Sequence, residues 1–234
     1  MLTTDDPGKA RYQGAMSVVT PHASPPKPAR GPNAQRRNAT RAKLLEATIG
    51  CLSELGYHRT STVLVTERAG VSRGSLLHQF PSKADLMVAA AGYIAELRGR
   101  AHVAGLEGVP LGPERLTRLV DILWGQMSSP SGIARLEIML GSRSDPELAA
   151  KLAPLHARLD ERHRDAVWAL AKALGATDRK PIDAMVQLYA ASLRGLSVDA
   201  LFPESREHVS AAVELLKTLL VDVISAQAKR PASS

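Results

Sequence analysis

The stretch TVLVTERAGVSRGSLLHQF, residues 62–80, sets the reading of the whole chain. A short helix over 62–69 ends at Ala69-Gly70, and Gly70 suits the left-handed conformation that closes a helix. Val71 is placed to drop into an apolar centre, and Ser72 is a good N-cap for a second helix over 73–79. Two helices joined by a turn of about three to four residues that contains glycine form a helix-turn-helix. The second helix of such a pair enters the major groove of DNA. Val65, Ala69, Val71, Leu76 and Phe80 supply its small core.

Two cations separate a DNA reader from a plain helical hairpin. Arg73 falls in the first turn of the second helix, and Lys83 in the first turn of the helix that follows. A cation there opposes the helix dipole at a cost of roughly 0.3–1 kcal/mol. A phosphate beside the same helix end reverses that sign, because amide donors and cation then share one anion. Arg73 is also long enough for a bidentate contact to guanine. The bland alternative for each is a solvated surface cation.

Outward from this motif the pattern is helical almost throughout. Helix 1 spans about 39–55, with Leu44, Leu45, Thr48, Ile49, Leu52 and Leu55 on one face and Gly56 as its stop. Helix 4 follows Pro81-Ser82, where Ser82 and Asp85 have capping-box spacing with Asp in place of Glu. Past the Gly/Pro-rich stretch 105–113, helices are predicted at 114–128, 131–141, 145–174, 179–201 and 205–227. The seventh opens with Ser144-Asp145-Pro146-Glu147, where cap, first-turn proline and first-turn acid agree, and Pro154 inside it predicts a kink. The fold class is all-α with about nine helices: an N-terminal three-helix domain with the helix-turn-helix, then a larger helical domain. Residues 1–37 read as a disordered, basic, Pro-rich arm and 38–98 as the helix-turn-helix domain with the start of helix 4. Residues 99–228 read as a second helical domain, and 229–234 as a disordered tail.

Charge agrees with that division. Of a net charge of +7 over 234 residues, residues 1–83 hold 12 Lys/Arg against 5 Asp/Glu, while residues 84–234 hold 18 of each. The excess sits where a polyanion would be met. Between Asp6 and Glu46 there is no acid, so the arm can add phosphate contacts. At 44% hydrophobic residues the chain is globular, and no run of eighteen apolar residues exists to cross a membrane. The first thirty residues lack an apolar signal centre, and Cys51 is the single cysteine. Both point to a cytoplasmic protein without internal disulfides.

The stretch Ala39–Tyr93 resembles the DNA-binding domain of the tetracycline-repressor (TetR) family. The residues that carry the resemblance are Gly56-Tyr57, Thr60-Ser61, Ala69-Gly70-Val71-Ser72, Gly74, Leu76, Phe80 and Pro81-Ser82-Lys83. They lie within about a quarter of the chain; the remainder agrees in layout only, as further helices ending in an apolar pair. The resemblance implies a homodimeric repressor on a palindromic double-stranded operator. A small-molecule effector in the C-terminal domain would shift helix 4 and so the spacing of the recognition helices. The expected DNA-binding residues are Arg41, Thr62, Val63, Arg73, Gly74, Ser75, Leu77, His78, Gln79 and Lys83. Two depart from the family's habit, since Leu77 and Gln79 stand where Tyr and His are usual. Val63 and Leu64 are also more apolar than usual. An apolar side chain there can touch a thymine methyl but cannot read a donor pattern. These departures keep open an alternative, a helical ligand-binding or interaction protein whose helix-turn-helix no longer reads DNA.

Other constellations weigh less. His156, Asp160 and His163 share one helix face, yet a metal site needs three or four convergent ligands. Cys51 reads as an inert core thiol. No phosphate loop, nucleophile elbow or paired-carboxylate spacing is present, so neither an enzyme nor a cofactor is expected. Trp124, Met127, Met139, Trp168, Met185 and Tyr189 form the candidate lining for an apolar or amphipathic ligand, with Gln126, Gln187 or Arg135 as polar anchors. The other reading of the same residues is ordinary core. The last two helices carry apolar residues over more than a core-facing stripe requires. Ile182, Tyr189, Leu193, Leu196, Val213, Leu216, Leu220 and Ile224 are the expected dimer interface, as a four-helix bundle across a two-fold axis.

Overall fold

Caps, prolines and left-handed glycines mark most of the helix ends in this chain. The computed structural model describes residues 32–228. The helices are α1 (Pro32–Arg59), α2 (Thr62–Ala69), α3 (Arg73–Gln79), α4 (Lys83–Leu106) and α5 (Pro113–Met127). They continue with α6 (Pro130–Gly141), α7 (Pro146–Ala173), α8 (Arg179–Asp199) and α9 (Arg206–Ala228), with a 3₁₀ turn at Pro203–Ser205. The protein is all-α, and no strand occurs among the described residues. No described helix is long and apolar enough to cross a membrane.

Two details differ from the sequence reading. α1 begins at Pro32, inside the stretch read as an arm. Pro32 has the fixed φ of a first helical residue, and Ala34, Gln35, Arg36 and Arg37 are good helix formers. Their turns are largely solvated, so no apolar stripe marks them. Residues 1–31 and 229–234 lie outside the described residues. α7 runs from Pro146 to Ala173 with Pro154 inside it, so this proline does not end the helix. At Gly56, by contrast, the backbone leaves the helix (φ 77°, ψ 173°) where the sequence placed a stop, and one further turn reaches Arg59.

The described residues pack as two compact units, and these do not follow the division read at 98/99. The first unit takes α1, α2, α3 and α4 up to Arg100, together with Leu123–Leu159. α6 and the first part of α7 thus belong with the helix-turn-helix. The reason is that α1 packs most extensively on α6. A Cβ at Gly141 would overlap the Tyr57 ring, so glycine alone permits that approach. The core of this unit joins Leu44 and Leu52 of α1, Val65, Leu76, Phe80, Leu86 and Ile94 to Ile138 and Leu148. Cys51 is buried in the same core.

The second unit takes Ala101–Ile122 and, from Asp160 onward, the rest of α7, α8 and α9. α8 packs along α9, and the Tyr189 hydroxyl donates to the Leu216 carbonyl. Arg179 at the start of α8 pairs with Asp165 of α7 at 2.7 Å, and Lys217 of α9 with Asp121 of α5 at 2.5 Å. The residues expected to meet a second copy are mostly covered already. Ile182, Tyr189, Leu193, Val213, Leu216, Leu220 and Ile224 are buried in the single chain, and Leu196 is half-buried. The apolar side chains left open are different ones: Leu188 is 62% exposed and Leu215 59%, beside Leu216 at 9%. An apolar surplus on a helix shows that two surfaces exist, but not which one the chain keeps for itself.

Candidate nucleic-acid interface

The reading motif is held together by its own short-range chemistry. Ser61 caps α2 by accepting from the Leu64 N–H at 3.2 Å. Gly70 ends that helix in the left-handed region (φ 63°, ψ 38°), and its N–H reaches the Glu67 carbonyl while Val71 N–H reaches Thr66. Ser72 then caps α3 through the Ser75 N–H at 3.2 Å. Val65, Leu76 and Phe80 are buried, with Ala69 and Val71 packed at their edge. One face of each helix is thereby anchored and the other is left to solvent.

The solvated face carries most of the expected contact set. Arg73, Gly74, Ser75, Leu77 and His78 are exposed, as is Val63 on α2, while Thr62 and Gln79 are half-buried. Arg73 has no hydrogen bond or ion pair among the described residues. Leu77, at 43% exposed, and Leu64 put aliphatic surface into water beside it. Arg41 reaches across from α1, with its guanidinium 4.6 Å above the Phe80 ring. Arg68, the other arginine of the motif, is committed to Glu54 in a two-pronged pair at 2.7 and 2.6 Å. A shallow cleft of about 530 Å³ lies alongside, lined by Arg41, Gln79, Phe80, Pro81, Asp85 and Lys151 among others.

Lys83 corrects one premise of the sequence argument. It is no unsupported cation at a helix start, because its ammonium donates to the Tyr57 carbonyl at 2.9 Å and sits 4.1 Å from the Tyr57 ring centroid. These contacts offset the dipole cost without any phosphate. Burial draws the Lys83 pKa below the ordinary lysine value, and the Asp145 carboxylate opposes that shift.

Behind the reading face stands a polar joint that sequence reasoning missed. The Tyr57 N–H donates to Glu137 Oε2 at 2.8 Å and its hydroxyl to Asp145 Oδ2 at 2.5 Å. Burial first, then Asp145, pushes the phenol pKa up, while the hydrogen bond from Tyr57 holds the Asp145 carboxyl below its usual range. At neutral pH the donor and acceptor are therefore unambiguous. Next to it, Ser82 and Asp85 form the expected capping box, each N–H donating to the other's side chain at 3.1 Å. Lys151 of α7 bridges Asp85 at 2.6 Å and Glu147 at 2.9 Å. The available signals were Gly56-Tyr57 in the motif and Asp145 as the α7 cap. Neither revealed that the two meet.

The candidate ligand lining is divided between the units: Trp124, Met127 and Met139 in the first, Trp168, Met185 and Tyr189 in the second. Met127, Met185 and Tyr189 are buried; Trp124, Met139 and Trp168 are half-buried. Of the proposed anchors, Gln126 donates to the Arg98 carbonyl at 3.2 Å and Gln187 is exposed. Arg135 lines a narrow gap with Met139, His156 and Leu159, closed down to about 10 Å³, which is room for about one water. Asp160 is ion-paired with Arg164.

The sequence profile of the bacterial regulatory proteins of the tetR family matches residues 44–90. The chain is 30% identical over 136 residues to an HTH-type transcriptional regulator of Mycobacterium tuberculosis, a match spanning 58% of this chain and 70% of that one. It is 29% identical over 188 residues to the HTH-type transcriptional regulator CymR of Pseudomonas putida, spanning 77% of this chain and 88% of CymR. A transcriptional regulator from Saccharomonospora viridis, crystallised in complex with choline, shares the fold with a TM-score of 0.59. That likeness comes at 21% identity and covers 80% of this chain and 96% of the other.

Proposed function

This chain belongs to the tetR family of bacterial transcriptional regulators, and from that premise we propose that it is a homodimeric repressor of a two-fold symmetric operator, released by a small apolar or amphipathic ligand. Residues 38–98 read the DNA, and residues 99–228 sense the ligand and pair the two copies. The chain binds and does not catalyse, and it works in the cytoplasm. The observation that carries this reading is the solvated face of α3, where Arg73 stands uncommitted beside Ser75 and His78 on a firmly capped helix.

In this reading α3 lies in the major groove with Arg73 on a guanine. Leu77 and Val63 lie on thymine methyls, while Lys83, Arg41, Thr62, Ser75, His78 and Gln79 serve the backbone. Gly74 keeps the first turn of α3 slim. Pairing uses the open stripe Ala184, Leu188, Ala191 and Gly195 on α8 with Leu215 and Leu219 on α9. Small residues in that stripe let helices approach closely. Pairing matters because linking two weak half-sites raises affinity by roughly 10²–10⁴. The choline complex of a fold relative is a precedent for a small ligand in this architecture. Here Trp124, Met127 and Met139 or Trp168, Met185 and Tyr189 would supply the apolar walls.

Selection of bound sequences from a random DNA pool tests the reading. The expected product is a two-fold symmetric consensus with thymines near each half-site centre. An unenriched pool would instead favour the interaction-protein alternative raised by Leu77 and Gln79.

A further inference from the structure

Four chemically distinct parts of one side chain and its backbone meet four partners at Tyr57. The N–H is held by Glu137 of α6, and the ring lies against Gly141 at the end of α6. The hydroxyl is held by Asp145, and the carbonyl and ring face together hold the Lys83 ammonium. Asp145 is itself fixed, since its other oxygen caps α7 by accepting the Leu148 N–H at 2.9 Å. Tyr57 directly follows the left-handed Gly56, so it sits at the break between the long helix and the reading motif. An ammonium has three hydrogens, and the Tyr57 carbonyl uses one of them. The ring face lies against a second side of the group, which leaves at least one for an oxyanion approaching the start of α4.

We propose that Asp145 and Tyr57 are positioning residues for DNA binding, a relay through which the α6–α7 junction sets where Lys83 stands to meet a phosphate. The relay rests on the reading above, in which Lys83 grips the DNA backbone. It adds that α6 and α7 act on that grip through one phenol, with no contact of their own to DNA. Loosening the phenol therefore weakens binding to every sequence alike and removes a phosphate contact, while the face that reads bases stays as it was.

The test uses the full chain and Tyr57→Phe, which keeps the ring on Gly141 and both backbone contacts and deletes only the hold on Asp145. Asp145→Asn, which keeps an acceptor for the α7 cap, enters the same link from the other side. Affinity is measured on the selected operator and on random duplex across a salt series, with thermal melting alongside. Tyr57→Phe is expected to bind both duplexes about three- to tenfold more weakly and to flatten the salt slope by about one to two for a dimer. In a Lys83→Ala background the same substitution should change neither quantity further. Full additivity of the two substitutions, or an unchanged salt slope, overturns the relay. If Lys83→Ala alone leaves affinity and slope intact while Arg73→Ala destroys binding, the relay falls and the DNA-reading proposal stands. If the unaltered chain enriches no sequence, both fall.

Discussion

The α2–α3 motif and the α8–α9 pair both leave aliphatic side chains in water, yet they came to that state by different rules. In the motif, every helix end has a local partner: Ser61, Gly70 and Ser72 close or open their helices within a few residues. Its outward face is then whatever those caps do not anchor. In α8–α9 the cap at Asp178, which accepts the Lys180 N–H, fixes where α8 starts but not which side faces out, and neighbours in sequence take opposite fates, as with open Leu215 and buried Leu216. Polar groups with directional needs declare which way a helix faces. Apolar ones declare only that they want cover.

The largest effects break this comparison at α9. Leu216→Lys with Leu220→Lys, which place charges at buried positions, should cost several kcal/mol each and abolish folding. Leu215→Lys with Leu219→Lys should instead give a folded monomer whose operator affinity drops by roughly 10²–10⁴. Sedimentation and circular dichroism distinguish the pair, and a persisting dimer in the second variant removes this face from the interface.

At the other region, Arg73→Ala should lose about 1–3 kcal/mol on the operator and relax one base position per half-site. Equal losses on operator and random duplex would reassign Arg73 to the backbone. A smaller change sharpens the local rule itself: Gly70→Ala meets no steric obstacle but must hold φ near 63°, and should lower stability by about 1 kcal/mol in thermal melting. The smallest effect concerns the exposed aliphatic residues. Replacing an operator thymine by deoxyuridine removes one methyl, worth about 0.8 kcal/mol when buried against Leu77. Leu77→Ala should be indifferent to the swap. If it is not, the methyl is read elsewhere or not at all.

Much of the architecture was legible for the same reason that the motif was. Ser-, Gly- and Pro-based boundaries act over four residues or fewer, and Ser72, Gly70 and the Ser82–Asp85 box stand where the spacing put them. The start of α1 was not legible, because a solvated turn leaves no apolar period. The candidate contact residues could be named from their places on α2 and α3. The partner of Lys83 could not, and its position at a helix start suggested a cation waiting for phosphate when Tyr57 already holds it.

What the chain determines on its own is therefore the set of helices, the outward face of α3, and the location of the positive charge in the first third. Each follows from interactions that close within a turn or from a simple count. Tertiary structure decided which apolar residues of α8 and α9 are core, and that α6 and the first part of α7 pack with the reading motif. It also decided what Tyr57 does. Its contacts to Lys83, Glu137 and Asp145 bridge 26, 80 and 88 residues of sequence. No local propensity spans such distances; the packing of α1 on α6, permitted by Gly141, sets Tyr57 beside Glu137.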